Sequence, residues 1–547
     1  MPKETDITKH TQRAACVMAV ENEIDLEMSK NPLNNFSYQQ QIWTLLSVVE
    51  DHHFKISIIN PLPEQRAAAY IDGLINAIVH PIRACYSDKP NSNSNSNSNS
   101  KKIDREFRDN SYIYTQEWID LAKSYLNFCS IFPLYHAKMI ELTVSGNDIV
   151  PSDWSSYNLT YEAYDRLVAK RDPTTENSPL THISAKELRR HMSISGNYYN
   201  VNFSKRLMTA LSDAYFEDFN NRHNLPNQWN FLTFSISDFR KVFISLQIMA
   251  SAWFMARVIA VEEGVPALAF SSALWTPKKS MLINIIASHI EISRTKVSKV
   301  LDYLTYGNKG IRHPDIAIQP LIELNESQYA ISPFIIMHTN GERNLCVLLN
   351  QIPEERYIYS RLVQEKEYRV RQEIINSLEG LDLEFTHGQI DSTDIDLAII
   401  DHYKKTCLCI EIKWFIEPSE IREVLSRSEE IIKGVSQAKK VSEAFRNGNS
   451  KLLNLLSINQ TYDFLSIVGS VNSIGHHVAQ DSNVPVIKIW HLTTQIRNHN
   501  NLSATVNWLN RRQYLPTKGI DFTIEKFPIT CGEWSSTWYG IRPISNN

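Results

Sequence analysis

Residues Asp394 to Phe415 read DIDLAIIDHYKKTCLCIEIKWF, and they set a problem: Glu411 and Lys413 stand two residues apart inside a run otherwise fit for a core. An unpaired carboxylate or ammonium group is too costly to bury without a purpose. Read as a strand with period two, TCLCIEIKWF turns Leu408, Ile410 and Ile412 one way and Cys407, Cys409, Glu411 and Lys413 the other. The same alternation in DIDLAII sets Asp394 and Asp396 on one face, opposite Ile395, Leu397 and Ile399. Paired across the DHYKK turn, the two strands bring Asp396 and Glu411 together at their ends. Carboxylates held that close repel each other unless a divalent cation lies between them. Oxygen-only donors suit Mg²⁺ or Mn²⁺. A lysine beside them would orient a water or stabilise negative charge developing on a phosphate.

Working outward, a long amphipathic helix, EERYIYSRLVQEKEYRVRQEIINSLEG, precedes the strands and is expected to stop at Gly380. LDLEFTHGQ supplies a further strand before DIDLAIIDH. A charged helix, EPSEIREVLSRSEEIIKGVSQAKKVSEAFRNG, comes next, and then two strand-like runs, YDFLSIVGSV and VPVIKIWHL. Helix, three strands, helix, strand, strand is an α/β plan with hairpin pairing early and parallel pairing later.

An Asp opening one strand and E-x-K in the next, here Asp396 and Glu411-Ile412-Lys413, resembles the PD-(D/E)XK nuclease superfamily, whose fold is restriction-endonuclease-like. The resemblance covers roughly residues 354–491. It implies that Asp396 and Glu411 bind the metal, Mg²⁺ or Mn²⁺, and that Lys413 acts in catalysis. Members often carry a glutamate on the preceding helix; Glu367 fills that place here, with Glu365 as the alternative. Many also carry a Gln and a basic residue on the following helix, and Lys433, Gln437 and Lys440 fall on one helical face that would meet the substrate backbone. The proline of the family's name is missing, since Ile395 precedes Asp396, and Asp394 is the alternative metal ligand. The resemblance implies a metal-dependent phosphodiesterase acting on nucleic acid, double-stranded DNA foremost, and by family analogy a place in prokaryotic restriction or defence. A nuclease-like module kept for binding or assembly, without catalysis, is the rival reading.

The 547-residue chain carries a formal net charge of −4, so it has no general basic coat, and contact with a polyanion requires a local basic groove or bound metal. Its seven cysteines are scattered, against a disulfide framework and for a reducing, cytoplasmic compartment. The first residues lack the apolar core of a signal peptide. VFISLQIMASAWFMARVIAV, Val242 to Val261, is long enough to span a bilayer, but Gln247 and Arg257 interrupt it, and a buried core helix is expected with no membrane contact. No phosphate loop for ATP occurs. His476 and His477, as neighbours on an extended chain, would point apart and chelate poorly.

Most of the chain before residue 341 reads helical. The expected divisions are a helical unit over 1–88, an Asn/Ser linker over 89–102, a mainly helical region over 103–340, and the nuclease-like α/β domain over 341–547. Within the third, MLINIIASHIEISRTKVSKVLDYLTYG, Met281 to Gly307, suits a helix-turn-helix, with Arg294, Lys296 and Lys299 on its second helix. That motif supports a third reading, a helical DNA-binding regulator. A homodimer or a partner protein engaged through the helical half is a further expectation.

Overall fold

The computed structural model describes residues 4–87, 89, 103–152, 159–168, 185–220, 225–268, 272–390, 393–418, 421–481 and 483–544. The expected Asn/Ser linker lies outside the described residues, Lys89 excepted.

Long helices open the chain: Glu4–Ser29, Tyr38–Phe54, Glu64–Ser87 and Asp109–His136. The hairpin Leu142–Ser145 and Asp148–Pro151 then joins the last two strands, Phe522–Cys531 and Trp534–Pro543, in one four-stranded sheet. Ser535 pairs with Asp148 and Ser536 with Ile149, so the chain's end returns to its first third.

Helix α1, Ile236–Glu262, starts at a capping box in which Ser235 Oγ accepts from the Asp238 amide and Asp238 Oδ2 accepts from the Ser235 amide. By length and apolar composition it would cross a membrane, yet most of it is buried inside the protein. The two polar interruptions both have partners. Arg257 forms a buried ion pair with Asp51, and Gln247 Nε2 donates to the carbonyls of Ile336 and Thr339 at 3.4 Å each. Polar groups with internal partners are tolerated in a core.

Next come α2, Lys279–Ile290, and α3, Arg294–Tyr303, followed by a hairpin of β1, Leu321–Asn325, and β2, Gln328–Ile331. Leu282, Ile286, Val297, Val300 and Leu301 share one apolar cluster with α1.

The α/β part begins with α4, Pro353–Ser377, which takes its proline in the first turn, where the missing amide costs nothing. Strands β3, Glu384–Ile390, β4, Thr393–Asp401, and β5, Thr406–Lys413, form an antiparallel meander. Helix α5, Ile421–Arg446, crosses to β6, Asp463–Ser470, which pairs parallel with β5; β7, Val486–Lys488, extends the sheet in parallel. The five strands lie in the order β7-β6-β5-β4-β3, a mixed sheet with the expected change from antiparallel to parallel pairing. VPVIKIWHL departs from the sequence reading. Only three residues are strand, and α6, Ile489–His499, starts at once, with Ile489, Leu492 and Ile496 buried at helical spacing.

Alternation holds through β5. Leu408, Ile410 and Ile412 join Val370 and Ile374 of α4 and Leu492 of α6, while Cys407 and Cys409 join Val441 and Phe445 of α5. In β4 it breaks. Thr386 pairs with Ala398 but Gly388 with Ile395, so Asp396 and Leu397 together oppose His387 in a β-bulge. Ile395 consequently packs with Ala398 and Ile400. The strict alternation expected for DIDLAII is corrected by this extra residue, which sets the local direction of Asp396.

Candidate functional site

The site forms where β4 and β5 part. Their ladder runs from Asp401 opposite Thr406 to Leu397 opposite Ile410. One step further, Asp396 gives up backbone pairing, and its Oδ2 accepts the Ile412 amide proton at 2.7 Å. The carboxylate is thereby fixed beside β5, across from Glu411. Glu411 is only 6% exposed, and its Oε1 accepts from Lys413 Nζ at 2.8 Å. Lys413 also donates to Gln437 Oε1 of α5 at 3.3 Å. One turn earlier on α5, Gly434 leaves room for the lysine stem: a Cβ there would lie 3.0 Å from Lys413 Cε and 3.4 Å from both Val468 methyls.

Electrostatics tie Glu367 of α4 to the same place. Its carboxyl is held above the ordinary range, by desolvation first and then by the Asp396 charge, with Lys413 and Arg371 opposing. Burial raises Asp396 too, against the Ile412 hydrogen bond and the charges of Lys413 and Arg371. Glu411 is pushed up to about 7, by burial first and Asp396 next, and Lys413 pulls it back. Three carboxyl groups therefore share one region of negative potential, answered by one ammonium and one guanidinium.

The five residues singled out in the sequence, Glu367, Asp396, Glu411, Lys413 and Gln437, thus come together. The alternatives divide. Glu365 lines a separate cleft of about 510 Å³ with Gln228, Asn230 and Arg361, two residues and so about 200° around α4 from Glu367. Asp394 is exposed, yet it lines a small cleft together with Glu411, Cys409 and Ile410, and its charge raises the Asp396 carboxyl. Lys433 is exposed and paired with Glu430 at 2.6 Å, and Lys440 is exposed. His476 and His477 are not on a strand: they meet at a 3₁₀ turn, and their ring centroids lie 4.0 Å apart rather than pointing away from each other.

Sequence reasoning passed over Arg371, although its place four residues after Glu367 marks it as a neighbour on one helical face. It also passed over Lys366, which is 3% exposed and whose Nζ sits over the rings of Trp414 and Trp229, 2.9 and 4.8 Å from their centroids. No local pattern announces that cage, because Trp229 comes from a distant segment.

Compared with protein-family models, with curated proteins and with solved structures, the chain matches none.

Among the described residues, no group of three or more His, Cys, Asp or Glu side chains stands together as it would to hold a metal ion. The donor chemistry nonetheless fits a hard divalent cation. Asp396, Glu411 and Glu367 offer only oxygen, and each carries a raised proton affinity from burial and like charge. A bound cation removes that penalty.

Proposed function

We propose that this protein is a divalent-metal-dependent nuclease that hydrolyses phosphodiester bonds in double-stranded DNA through a restriction-endonuclease-like domain. The observation that carries the reading is the convergence of Glu367, Asp396, Glu411, Lys413 and Gln437 from one helix before the strands, two strands and one helix after them. A purely structural ion pair between Glu411 and Lys413 would need neither the Asp396 carboxylate turned away from its own ladder nor a third raised carboxyl from α4.

Asp396 and Glu411 would hold Mg²⁺ or Mn²⁺, with Glu367 completing the set. The cation would supply neutralisation of the phosphate charge. The chain's own groups do the rest. The Ile412 amide fixes Asp396 Oδ2, so that carboxylate does not need to reorganise. Gln437 and Glu411 together aim the Lys413 ammonium. From there Lys413 would orient the attacking water or stabilise charge as it builds on the phosphoryl oxygens. Hydrolysis would break the P–O bond to the leaving oxygen, which takes up a proton, and form one P–O bond from water.

Calorimetric titration with Mn²⁺ tests the metal assignment. Wild type should show a site that Asp396→Ala loses or weakens strongly. Equal affinity in the two proteins would remove Asp396 from the ligand set.

A further inference from the structure

The helix-turn-helix legible in the sequence is only part of what the chain builds there. Helix α2 ends on Glu291, whose φ of 55° and ψ of 39° are left-handed, and Ser293 caps α3, its Oγ accepting from the Lys296 amide at 3.3 Å. Three residues, Glu291 to Ser293, thus turn one helix into the next, the connection a helix-turn-helix requires.

Two further pieces complete the unit. The hairpin β1–β2 is the next regular element after α3, reached through the loop 304–320. The segment before α2 lies antiparallel beside this two-stranded hairpin through two isolated bridges: Trp275 and Ile331 exchange backbone hydrogen bonds at 3.2 and 2.9 Å, and Lys278 bridges Gln328. In chain order the unit is α1, a connecting segment, α2, α3 and a hairpin that bridges back to Trp275 and Lys278 of that segment. It is a helix-turn-helix with a β wing.

On α3, Val297, Val300 and Leu301 are buried. Arg294, Thr295, Ser298 and Lys299 are exposed and spread over one arc of the opposite side. Lys296 is held by Asp238 at 3.1 Å, whereas neither Arg294 nor Lys299 has an ion pair among the described residues. Acidic Glu291 in the turn and Glu326 at the hairpin tip are exposed as well. Two hydroxyls between two unpaired cations on a second helix, followed in the chain by a hairpin, match what a major groove requires: charge for the phosphates and short hydrogen-bonding side chains for base edges.

We propose that residues 236–331 form a winged helix-turn-helix that binds duplex DNA, with α3 as the recognition helix. Its binding needs neither a metal nor the carboxylates of the nuclease reading and stands or falls separately from them.

The test uses the full chain in EDTA and a short fluorescent duplex of mixed sequence, with anisotropy read between about 50 and 200 mM salt. The Arg294→Ala, Lys299→Ala double variant should lower the slope of log affinity against log salt by about 2, and Arg294→Gln and Lys299→Gln by about 1 each. Absence of duplex binding by wild type, an unchanged slope in all three α3 variants, or stronger binding to single-stranded RNA with the same dependence on α3 would overturn the assignment. Unchanged binding in the α3 variants with retained cleavage would contradict this inference and leave the nuclease reading intact.

Discussion

Asp396 Oδ2 accepts the amide proton of Ile412 at 2.7 Å, where the pairing of β4 with β5 ends. Leu397 faces Ile410, so the next opposed pair would have been Asp396 and Glu411. A side-chain hydrogen bond stands there instead, at the two residues that bulge against β3, and the Asp396 charge acts on the Glu411 carboxyl. Strand ends and bulges commonly re-aim side chains in this way next to active sites.

The first consequence is a pH dependence. Glu411 titrates near 4.5 in an unfolded chain and at about 7 here, with burial the main cause. Between those values the folded protein holds more protons than the unfolded chain, so stability falls as pH rises through that window. In EDTA, Glu411→Gln should flatten the decline and be the more stable protein at neutral pH. A wild-type unfolding curve independent of pH from about 4.5 to 7 would contradict the burial of this carboxyl.

Lys366 gives the opposite sign. Burial lowers its ammonium to about 7 from an ordinary 10.5. Between those values the unfolded chain holds more protons, so stability rises with pH. Lys366→Met keeps the stem between Trp229 and Trp414 and removes the charge. It should raise the melting temperature at neutral pH and erase the alkaline rise. A destabilised Met variant would mean that the contact with the two rings outweighs desolvation.

Gly434 is a positioning residue. Alanine favours a helix interior by about 1 kcal/mol over glycine, so Gly434→Ala should not lower stability much. Its methyl would crowd Lys413 Cε at 3.0 Å and shift the ammonium. Cleavage should fall by up to about 10²-fold, the scale of a displacement of roughly 1 Å at a reacting group. Wild-type turnover in Gly434→Ala would show that the lysine's placement does not matter.

Tyr303 connects the two halves. Its hydroxyl donates at 2.6 Å to Oε1 of Glu355, which is 0% exposed and near the start of α4, the helix that carries Glu367. Tyr303→Phe leaves Glu355 with long contacts to the Leu232 amide, at 3.3 and 3.4 Å. It should cost about 1–3 kcal/mol in denaturant unfolding, as a buried acceptor losing its main donor does. A cost near zero would mean that the carboxyl takes up a proton or water instead.

Period-two alternation made Glu411 and Lys413 legible, and helical spacing made Glu367 and Gln437 legible, because both signals are local. The meander and the later parallel strands were legible for the same reason. The bulge was not, since an extra residue at Asp396 shows only once Thr386 and Gly388 have their partners. Nor was the wing: the hairpin is short, and the bridges that back it come from Trp275 and Lys278, 56 and 50 residues before their partners Ile331 and Gln328. The return of Trp534–Pro543 to Asp148–Pro151 joins the last strand to the first third of the chain, a span no window of sequence contains.

The central claim is that the face of β5 carrying Glu411 and Lys413 performs chemistry. The direct measurement is cleavage of an end-labelled DNA duplex in Mg²⁺ by wild type and by Lys413→Met, which retains most of the apolar stem. Wild type should cut, and the variant should keep its melting temperature and its duplex binding while cutting about 10²–10³ times more slowly. Equal cutting by both proteins, or none by wild type in Mg²⁺ or Mn²⁺, would contradict the account.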